Sequence, residues 1–301
     1  MSIKFLKYSK VYFILSGILI IASIVSILFF GLKFGIEFTG GSIMELAFES
    51  ERPSLESIQQ TLSEFNLGEI VLQPVNDNEM ILRMKEIDGQ THESVLLKLQ
   101  EAYQTEEKSF EMIGPTIGAE LKKKTINAII MVLLAITLYI TIAFRKVSWS
   151  AIRSWQYGIA SLLALFHDIV IPLGVLAVLG KLYNIEITIP VIAALLTILG
   201  YSVHDTIVIF DRIRENLLKT RLNSFEETVD ISLNQTLWRS ISTVFTVLLV
   251  LFAVFFFGGQ TLQSFSLTLI IGITSGAYSS IFLASPLLVA WAKLRQNKGR
   301  V

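Results

Sequence analysis

The sequence predicts a polytopic α-helical membrane protein with six membrane-spanning helices and a small α+β domain between the first two. Of its 301 residues, 52% are hydrophobic, and the mean hydropathy is +0.62; a soluble domain is less apolar than this. Apolar segments of roughly the 20 residues that cross a bilayer occur six times. They are 11–30, 126–144, 157–179, 187–210, 237–257 and 262–291.

The first apolar segment is predicted to be an uncleaved signal-anchor, so that residues 1–37 form the N-terminus and the first transmembrane helix. Lys4, Lys7 and Lys10 precede it, as in a secretory signal. However, the segment is long enough to span the bilayer, and no small-x-small cleavage site follows it. The last apolar segment, 262–291, is long enough to be tilted or broken.

The loop charges predict that both termini are cytoplasmic. Short connections that fall on one side of a six-span bundle carry the basic clusters, whereas the short connections on the opposite side carry Lys181 alone. This is the positive-inside asymmetry. The basic residues that define it are Lys4, Lys7, Lys10, Arg145, Lys146, Arg153, Arg212, Arg214, Lys219, Arg221, Lys293, Arg295, Lys298 and Arg300. Lys122, Lys123 and Lys124, just outside the second span, are an exception, which the rule allows because a long translocated domain precedes them.

The polar stretch 38–120 is predicted to be an extracytoplasmic domain. Alternating or β-rich runs at 43–48, 70–75, 80–84 and 109–113 indicate strands, and apolar residues at helical spacing indicate one helix after the first strand and one before the last. Asn76-Asp77-Asn78 marks a turn between the middle strands. The order β-α-β-β-α-β is that of a ferredoxin-like fold.

The remaining residues, 121–301, are predicted to form a five-helix transmembrane region. A polar segment with helical spacing near 212–236 is expected to be a cytoplasmic surface helix within it.

Several classes of site are excluded or disfavoured. The chain has no cysteine, which excludes disulfides, thiolate zinc sites and a cysteine nucleophile. Neither a P-loop nor a Ser-His-Asp set occurs, so we expect no enzyme, no cofactor and no nucleic-acid partner. The pairs His167-Asp168 and His204-Asp205 are weak metal candidates, because adjacent residues on a helix point about 100° apart. No metal is expected.

The charges inside the spans are the candidate functional residues. An ionisable group in hydrocarbon costs at least ~2.5 kcal/mol, so it commonly marks a pathway or a proton relay. His167 and Asp168 lie half way along the third span, His204 and Asp205 lie in the fourth, and Arg239 lies near the start of the fifth. The alternative is that these groups only hold helices together or bond a neighbouring helix.

Asp205 and Arg239 are expected to meet. The fourth span runs toward the cytoplasm and the fifth runs away from it, so both residues lie one or two turns from the same end. A carboxylate that makes and breaks a pair with arginine changes its proton affinity, as a relay requires.

Four segments resemble the SecD and SecF proteins. The first, at 35–41, is similar to the family signature Gly-Ile-Asp-Phe-Thr-Gly-Gly, and 114–121 is similar to the family's approach to the second span. Residues 200–216 resemble the fourth span of SecF members, and 234–240 resemble the fifth. The segments occur in the family's order and extend over essentially the whole chain.

The resemblance implies an RND-type half bundle in the bacterial inner membrane that works with SecD. It also implies docking on the SecYEG channel and use of the proton motive force to help draw unfolded polypeptide across the lipid bilayer. Asp205 matches the family's relay aspartate and Arg239 its partner arginine; His167, Asp168 and His204 are expected to assist.

Three departures from the family pattern are present. His204 replaces the usual Asn, Trp238 a small residue, and Glu37 the usual Asp. The histidine at position 204 leaves open whether the coupling ion is a proton or sodium.

Two other functions stay open at this point. RND-type efflux of a small molecule or lipid predicts drug sensitivity on deletion with normal export, although the polar domain is short for a substrate funnel. An inert assembly scaffold predicts that Asp205→Asn changes the abundance of a complex and leaves its activity per molecule unchanged.

Overall fold

The computed structural model of the protein describes residues 3–75, 77–145, 152–219 and 224–298. It contains two compact units, one made of the N-terminal residues up to Lys33 with those from Asn127 onward, the other of Phe34–Ile126. The helices are α1 (Ser9–Phe30), α2 (Ile36–Thr39), α3 (Leu55–Leu62), α4 (Gly89–Tyr103), α5 (Pro115–Ala143), α6 (Ser154–Tyr183), α7 (Ile189–Lys219), α8 (Phe225–Phe257), α9 (Gln260–Ser279) and α10 (Ser285–Lys298). The strands are β1 (Gly41–Phe48), β2 (Val71–Pro74), β3 (Glu79–Met84) and β4 (Thr105–Ile113).

Within the described residues, six helical segments are long and apolar enough to cross a membrane, which confirms the predicted number of spans. They are α1 with the 3₁₀ turn Phe5–Tyr8 before it, then α5, α6, α7 and α8, and a sixth formed by α9 and α10. The structure extends several of them beyond the predicted apolar segments, because polar residues continue the helices at their ends.

The bundle has a central layer and a peripheral layer. The third, fourth and sixth spans bury about half of their most apolar windows, whereas the first, second and fifth bury less than a fifth. Helices α6, α7 and α9 pack against one another in the centre. The buried apolar residues that join them include Leu165, Ile169, Ala194, Leu195, Ile198, Leu199, Leu269 and Ile273.

The sixth span is interrupted, in agreement with a tilted or broken last segment. A π-helical turn at Ser280–Ala284 separates α9 from α10. Pro286 follows it and has no backbone N–H, so it cannot donate to the carbonyl four residues earlier. The Ser285 hydroxyl instead donates to the Ser280 carbonyl at 3.0 Å. A side-chain hydrogen bond therefore supports the turn that precedes the proline.

The predicted separate surface helix near 212–236 is wrong for the described residues. Residues up to Lys219 continue α7, and α8 begins at Phe225 after the Ser224 hydroxyl caps the Glu227 N–H at 3.1 Å. The helical spacing was genuine, but its apolar residues are buried in the bundle core and lengthen two spans. These residues are Ile213, Leu217, Phe225, Val229 and Leu233.

Four residues used in the sequence analysis lie outside the described residues. They are the basic residues Lys146, Arg221 and Arg300 and the turn residue Asn76.

The N-terminal segment is tied to α8. The Ile3 N–H donates to Asn234 Oδ1 and the Asn234 amide donates back to the Ile3 carbonyl, each at 2.8 Å. The Leu6 N–H donates to Asp230 Oδ1 at 3.1 Å. Phe5 and Leu6 are buried in the same apolar cluster as the first turns of α8.

The second unit is a four-stranded antiparallel sheet with order β2-β3-β1-β4. The element order β-α-β-β-α-β is the predicted one. Alternate residues of β1 and β3 point to one face, where they pack with α3 and α4. That core consists of Met44, Leu46, Phe48, Ile58, Leu62, Leu67, Met80, Leu82, Met84, Ile87, Val95 and Leu99. The unit covers the predicted range 38–120 and extends a few residues beyond it at each end.

The entry into the sheet needs two glycines. Gly40 and Gly41 have φ of 76° and 137°, where side chains are strained. A Cβ on Gly40 would lie 2.6 Å from Pro115 Cα. The Gly-Gly of the signature therefore serves a tight turn between α2 and β1.

The two helices of the sheet unit have side-chain N-caps. The Ser54 hydroxyl accepts from the Ser57 N–H at 3.2 Å, and Asp88 Oδ1 accepts from the Thr91 N–H at 2.8 Å. Hydrogen bonds from the Thr91 hydroxyl and N–H lower the pKa of the Asp88 carboxyl.

The sheet core predicts a local stability change. Leu82 is fully buried, so Leu82→Ala should lower the opening free energy of the sheet unit by about 2–5 kcal/mol. Leu97→Ala is the control, because Leu97 is 54% exposed on α4. Hydrogen exchange of the full chain, followed over 41–113, measures the difference. Equal protection in the two variants would contradict this core.

Candidate functional site

Asp168 lies at the centre of the bundle and is fully buried. Its Oδ2 accepts from the hydroxyl of Ser202 on α7 at 2.5 Å and from that of Ser279 on α9 at 2.7 Å. Its Oδ1 accepts from the Ser275 hydroxyl at 3.2 Å and lies 2.8 Å from His167 Nδ1. Both carboxylate oxygens are satisfied, and the residue joins α6 to α7 and α9.

His167 is held between Asp168 and the first span. A carboxylate only accepts hydrogen bonds, so Nδ1 carries the hydrogen that faces it. The ring stacks on Tyr278 with centroids 5.8 Å apart, and the Tyr278 hydroxyl donates to the Tyr12 carbonyl of α1 at 3.1 Å. Nε2 is buried with no hydrogen-bond partner. The cluster therefore contains one polar atom that its surroundings leave unsatisfied.

Asp205 is also buried, but its carboxylate is only half satisfied. Oδ1 accepts from the hydroxyl of Ser240 on α8 at 2.6 Å, and Oδ2 has no hydrogen-bond partner. Only 8% of the residue is exposed. An oxygen with a free lone pair in this position is able to take up a proton without first breaking a hydrogen bond.

The structure does not bring Asp205 and Arg239 into the expected direct pair. Asp205 bonds Ser240, the residue after Arg239, so α7 and α8 do meet at this level. The Arg239 side chain is exposed and lines a cavity of about 350 Å³ with Asp211, Arg212 and Glu215. Among the ion pairs of the described residues, those groups pair within α7, as Arg212–Glu215 and Arg214–Asp211.

His204 lies on the exposed face of α7. It is exposed on α7, whereas its neighbour Asp205 points inward. The two residues are about 100° apart around the helix, which accounts for the difference. The metal candidate His204-Asp205 is therefore divided between two faces, and no group of three or more His, Asp or Glu side chains suited to a metal occurs within the described ranges.

The residues that the sequence analysis missed are serines. Ser202 on α7 and Ser275 and Ser279 on α9 donate their hydroxyls to the Asp168 carboxylate. The signal was present, because Ser275 and Ser279 are four residues apart and share a helix face. Gly276 between them allows the close approach, since a Cβ there would lie 3.0 Å from Ser202 Cβ.

The Asp168 cluster predicts a large stability effect. Asp168→Ala leaves four buried polar groups without their acceptor, so the free energy of unfolding should fall by about 3–5 kcal/mol. Asp211→Ala is the matched control on α7, since the Asp211 side chain is 54% exposed. Equilibrium unfolding of both variants in mixed micelles measures the change. A similar loss in the two variants would show that the cluster does not stabilise the bundle.

Comparison with known proteins agrees with this arrangement. The model of the C-terminal region of SecD/SecF protein export membrane proteins matches residues 93–294, and the SecD/SecF GG motif matches residues 25–51. The chain is 40% identical to the protein translocase subunit SecF of Thermobaculum terrenum over 304 aligned positions, covering 96% of this chain and 94% of the relative. It is 39% identical to the SecF of Sebaldella termitidis, covering 96% and 91%.

A solved structure has the same fold. The crystal structure of SecDF from Thermus thermophilus, described as a translocon-associated membrane protein, superposes with a TM-score of 0.84 at 33% identity. The match covers 97% of this chain and 39% of the SecDF chain, so this chain spans about two fifths of that protein. The chain therefore belongs to the SecF family of protein-export membrane proteins.

Proposed function

We propose that this chain works as the SecF subunit of the bacterial protein translocase, in which the proton motive force drives movement of secretory polypeptides across the membrane. The observation that carries the proposal is the buried Asp205 carboxylate, which has one bonded oxygen and one free oxygen in the middle of an apolar helix. A charge left in that position is costly, and a reversible proton gives it a use.

The protonation of Asp205 is proposed to bias two arrangements of the bundle. In the ionised form the carboxylate attracts Arg239, which lies one residue from Ser240 on α8. Uptake of a proton removes that attraction and frees the exposed arginine toward the cavity that it lines. A ligand shifts an equilibrium only by its different affinity for the two states, and here the proton is that ligand.

Asp168, His167 and His204 are proposed to assist in different ways. Asp168 and His167 hold α6, α7 and α9 in register while α8 responds to Asp205, because their hydrogen bonds join those three helices. His204 faces outward beside Asp205 and is placed to meet a partner chain or to affect the coupling ion. Proton coupling is favoured, since one oxygen of the buried Asp205 carboxylate has no hydrogen-bond partner.

We infer that SecD, the SecYEG channel and an unfolded polypeptide are the partners. The Thermus thermophilus relative is a SecDF protein described as translocon-associated, and the rest of its length is consistent with a SecD half that this chain would meet through its exposed helices. The first, second and fifth spans have the least buried surface, which leaves them for lipid and for that partner.

The proposed topology places both termini in the cytoplasm and the sheet unit, a ferredoxin-like domain, outside the bacterial inner membrane. Its support is the basic residues at the ends of α7 and α10 and before α1. Movement of the spans would then be transmitted to a domain positioned to contact an emerging chain.

Asp205→Asn should abolish the part of secretion that depends on the proton gradient. The amide keeps the shape and an acceptor for Ser240, but it does not titrate. Precursor translocation into vesicles with and without an imposed gradient, at equal amounts of inserted protein, measures the effect.

Asp211→Asn is the control for that experiment. It makes the same chemical change six residues along α7 on an exposed side chain and should leave stimulation by the gradient intact. If Asp205→Asn retains normal stimulation, the relay is wrong; if it lowers only the abundance of the complex, a scaffold role is favoured.

The topology predicts opposite labelling of two introduced cysteines. The chain has no cysteine of its own, so Gln59→Cys on α3 and Lys219→Cys at the end of α7 each provide a single exposed thiol. In whole cells stripped of their outer membrane, an impermeant maleimide should label residue 59 at once and residue 219 only after permeabilisation. The reverse pattern would overturn the orientation.

A further inference from the structure

Two adjacent serines of the sixth span reach two different carboxylate sites. Ser279 is the last residue of α9 and Ser280 the first residue of the π-helical turn. The Ser279 hydroxyl donates to Asp168 Oδ2 at 2.7 Å. The Ser280 hydroxyl lies 2.9 Å from Thr206 Oγ1, on the residue after Asp205, and 2.9 Å from the Gly276 carbonyl, to which it donates. Both serines are fully buried.

The Asp168 end of this serine pair is fixed. Asp168 receives hydroxyl donors from Ser202 and Ser275 as well as from Ser279, and His167 faces its other side. No oxygen of this carboxylate is free to change partner without losing a hydrogen bond. Ser279 therefore anchors the end of α9 at a constant place against α6 and α7.

The Asp205 end is open. Ser280 contacts Thr206, the residue after Asp205 on α7, and Asp205 Oδ2 has no hydrogen-bond partner. The other titratable groups around this carboxylate are Tyr201 and His204 on its own helix and Arg239 on α8. Ser280 is thus the hydroxyl that the sixth span offers to the unsatisfied oxygen.

The π-helical turn begins at Ser280. Such turns are single-turn features that occur often at functional sites. The Ser280 carbonyl accepts from the Ser285 hydroxyl at 3.0 Å, so a side chain closes part of the turn. A change of one residue in helical register rotates a side chain by about 100°, and the turn begins at the residue that would move.

We propose that Ser280 is a positioning residue of the relay, whose hydroxyl changes partner between Thr206 and Asp205 as Asp205 gains and loses its proton. This inference rests on the proposed function and deepens it.

Protons balance in both arrangements. When Asp205 is ionised, the Ser280 O–H donates to Oδ2. When Asp205 has taken up a proton, its own O–H donates to Ser280 Oγ, and the Ser280 O–H donates to Thr206 Oγ1. The serine keeps its hydrogen throughout and only its direction reverses, while Ser279 holds the adjacent residue still.

The test compares Ser280→Ala with Ser266→Ala in the full chain reconstituted with SecD. Ser266 is a fully buried hydroxyl on α9 that donates only to the backbone carbonyls of Leu262 and Gln263. Ser280→Ala should reduce gradient-stimulated translocation roughly three- to tenfold, the effect of one lost hydrogen bond. Ser266→Ala should leave it unchanged, and Ser280→Thr, which keeps the hydroxyl, should restore it.

A spectroscopic signal separates positioning from packing. The carboxyl C=O stretching band of protonated Asp205, identified by its absence in Asp205→Asn, should shift in Ser280→Ala and stay in place in Ser266→Ala.

Failure of the inference and failure of the proposed function give different results. If Asp205→Asn abolishes stimulation and Ser280→Ala behaves as Ser266→Ala in both measurements, Ser280 has no part in the relay and the proposed function stands. If Asp205→Asn itself retains stimulation, the proposed function fails and this inference fails with it.

Discussion

The buried Asp168 carboxylate is the interaction on which the rest of the bundle depends. In lipid, apolar helices gain little from meeting one another, so association relies on close packing and on polar contacts between helices. Asp168 collects hydroxyl donors from α7 and α9 and the imidazole beside it. With three central helices joined at one point, the peripheral helices are left with surfaces for lipid and partner chains.

Asp205, the second buried carboxylate, differs from Asp168 in how many of its oxygens accept hydrogen bonds. Asp168 has four polar neighbours and no free oxygen, whereas Asp205 has one donor and one free oxygen. A carboxylate with both oxygens satisfied is held in place by its hydrogen bonds, whereas the free oxygen of Asp205 can take up a proton. A fixed centre beside a responsive site would let α8 move while its neighbours hold their register, as the proposed proton coupling requires.

Much of the fold was predictable from local patterns. Apolar length indicated the six spans, and period-two and helical spacing indicated the order of strands and helices in the sheet unit, since both follow from backbone geometry. The segment near 212–236 was misjudged because a polar helical stretch has the same spacing whether it lies on a surface or prolongs a buried span.

The site was predictable in residue type but not in geometry. Charges inside apolar helices identified Asp168, Asp205 and Arg239, because their cost makes them conspicuous. Serines carry no such cost, since a serine hydroxyl can bond a carbonyl on the preceding turn of its own helix. Their second role as donors to a carboxylate depends on how α7, α8 and α9 are rotated, which tertiary packing decides. Whether Asp205 and Arg239 form a direct pair depends on the same helix rotations, which the sequence pattern does not specify.

The bond between Ile3 and Asn234 has a consequence for biogenesis. The two residues are 231 positions apart, and a ribosome adds about 5–20 residues per second. The first span therefore waits on the order of 10–50 s in the bilayer before the amide that fastens its leading end has been made. During that interval Phe5 and Leu6 lack the apolar residues of α8 against which they are buried in the folded chain. The leading end of the chain therefore reaches its final packing only after the fifth span, α8, has been made.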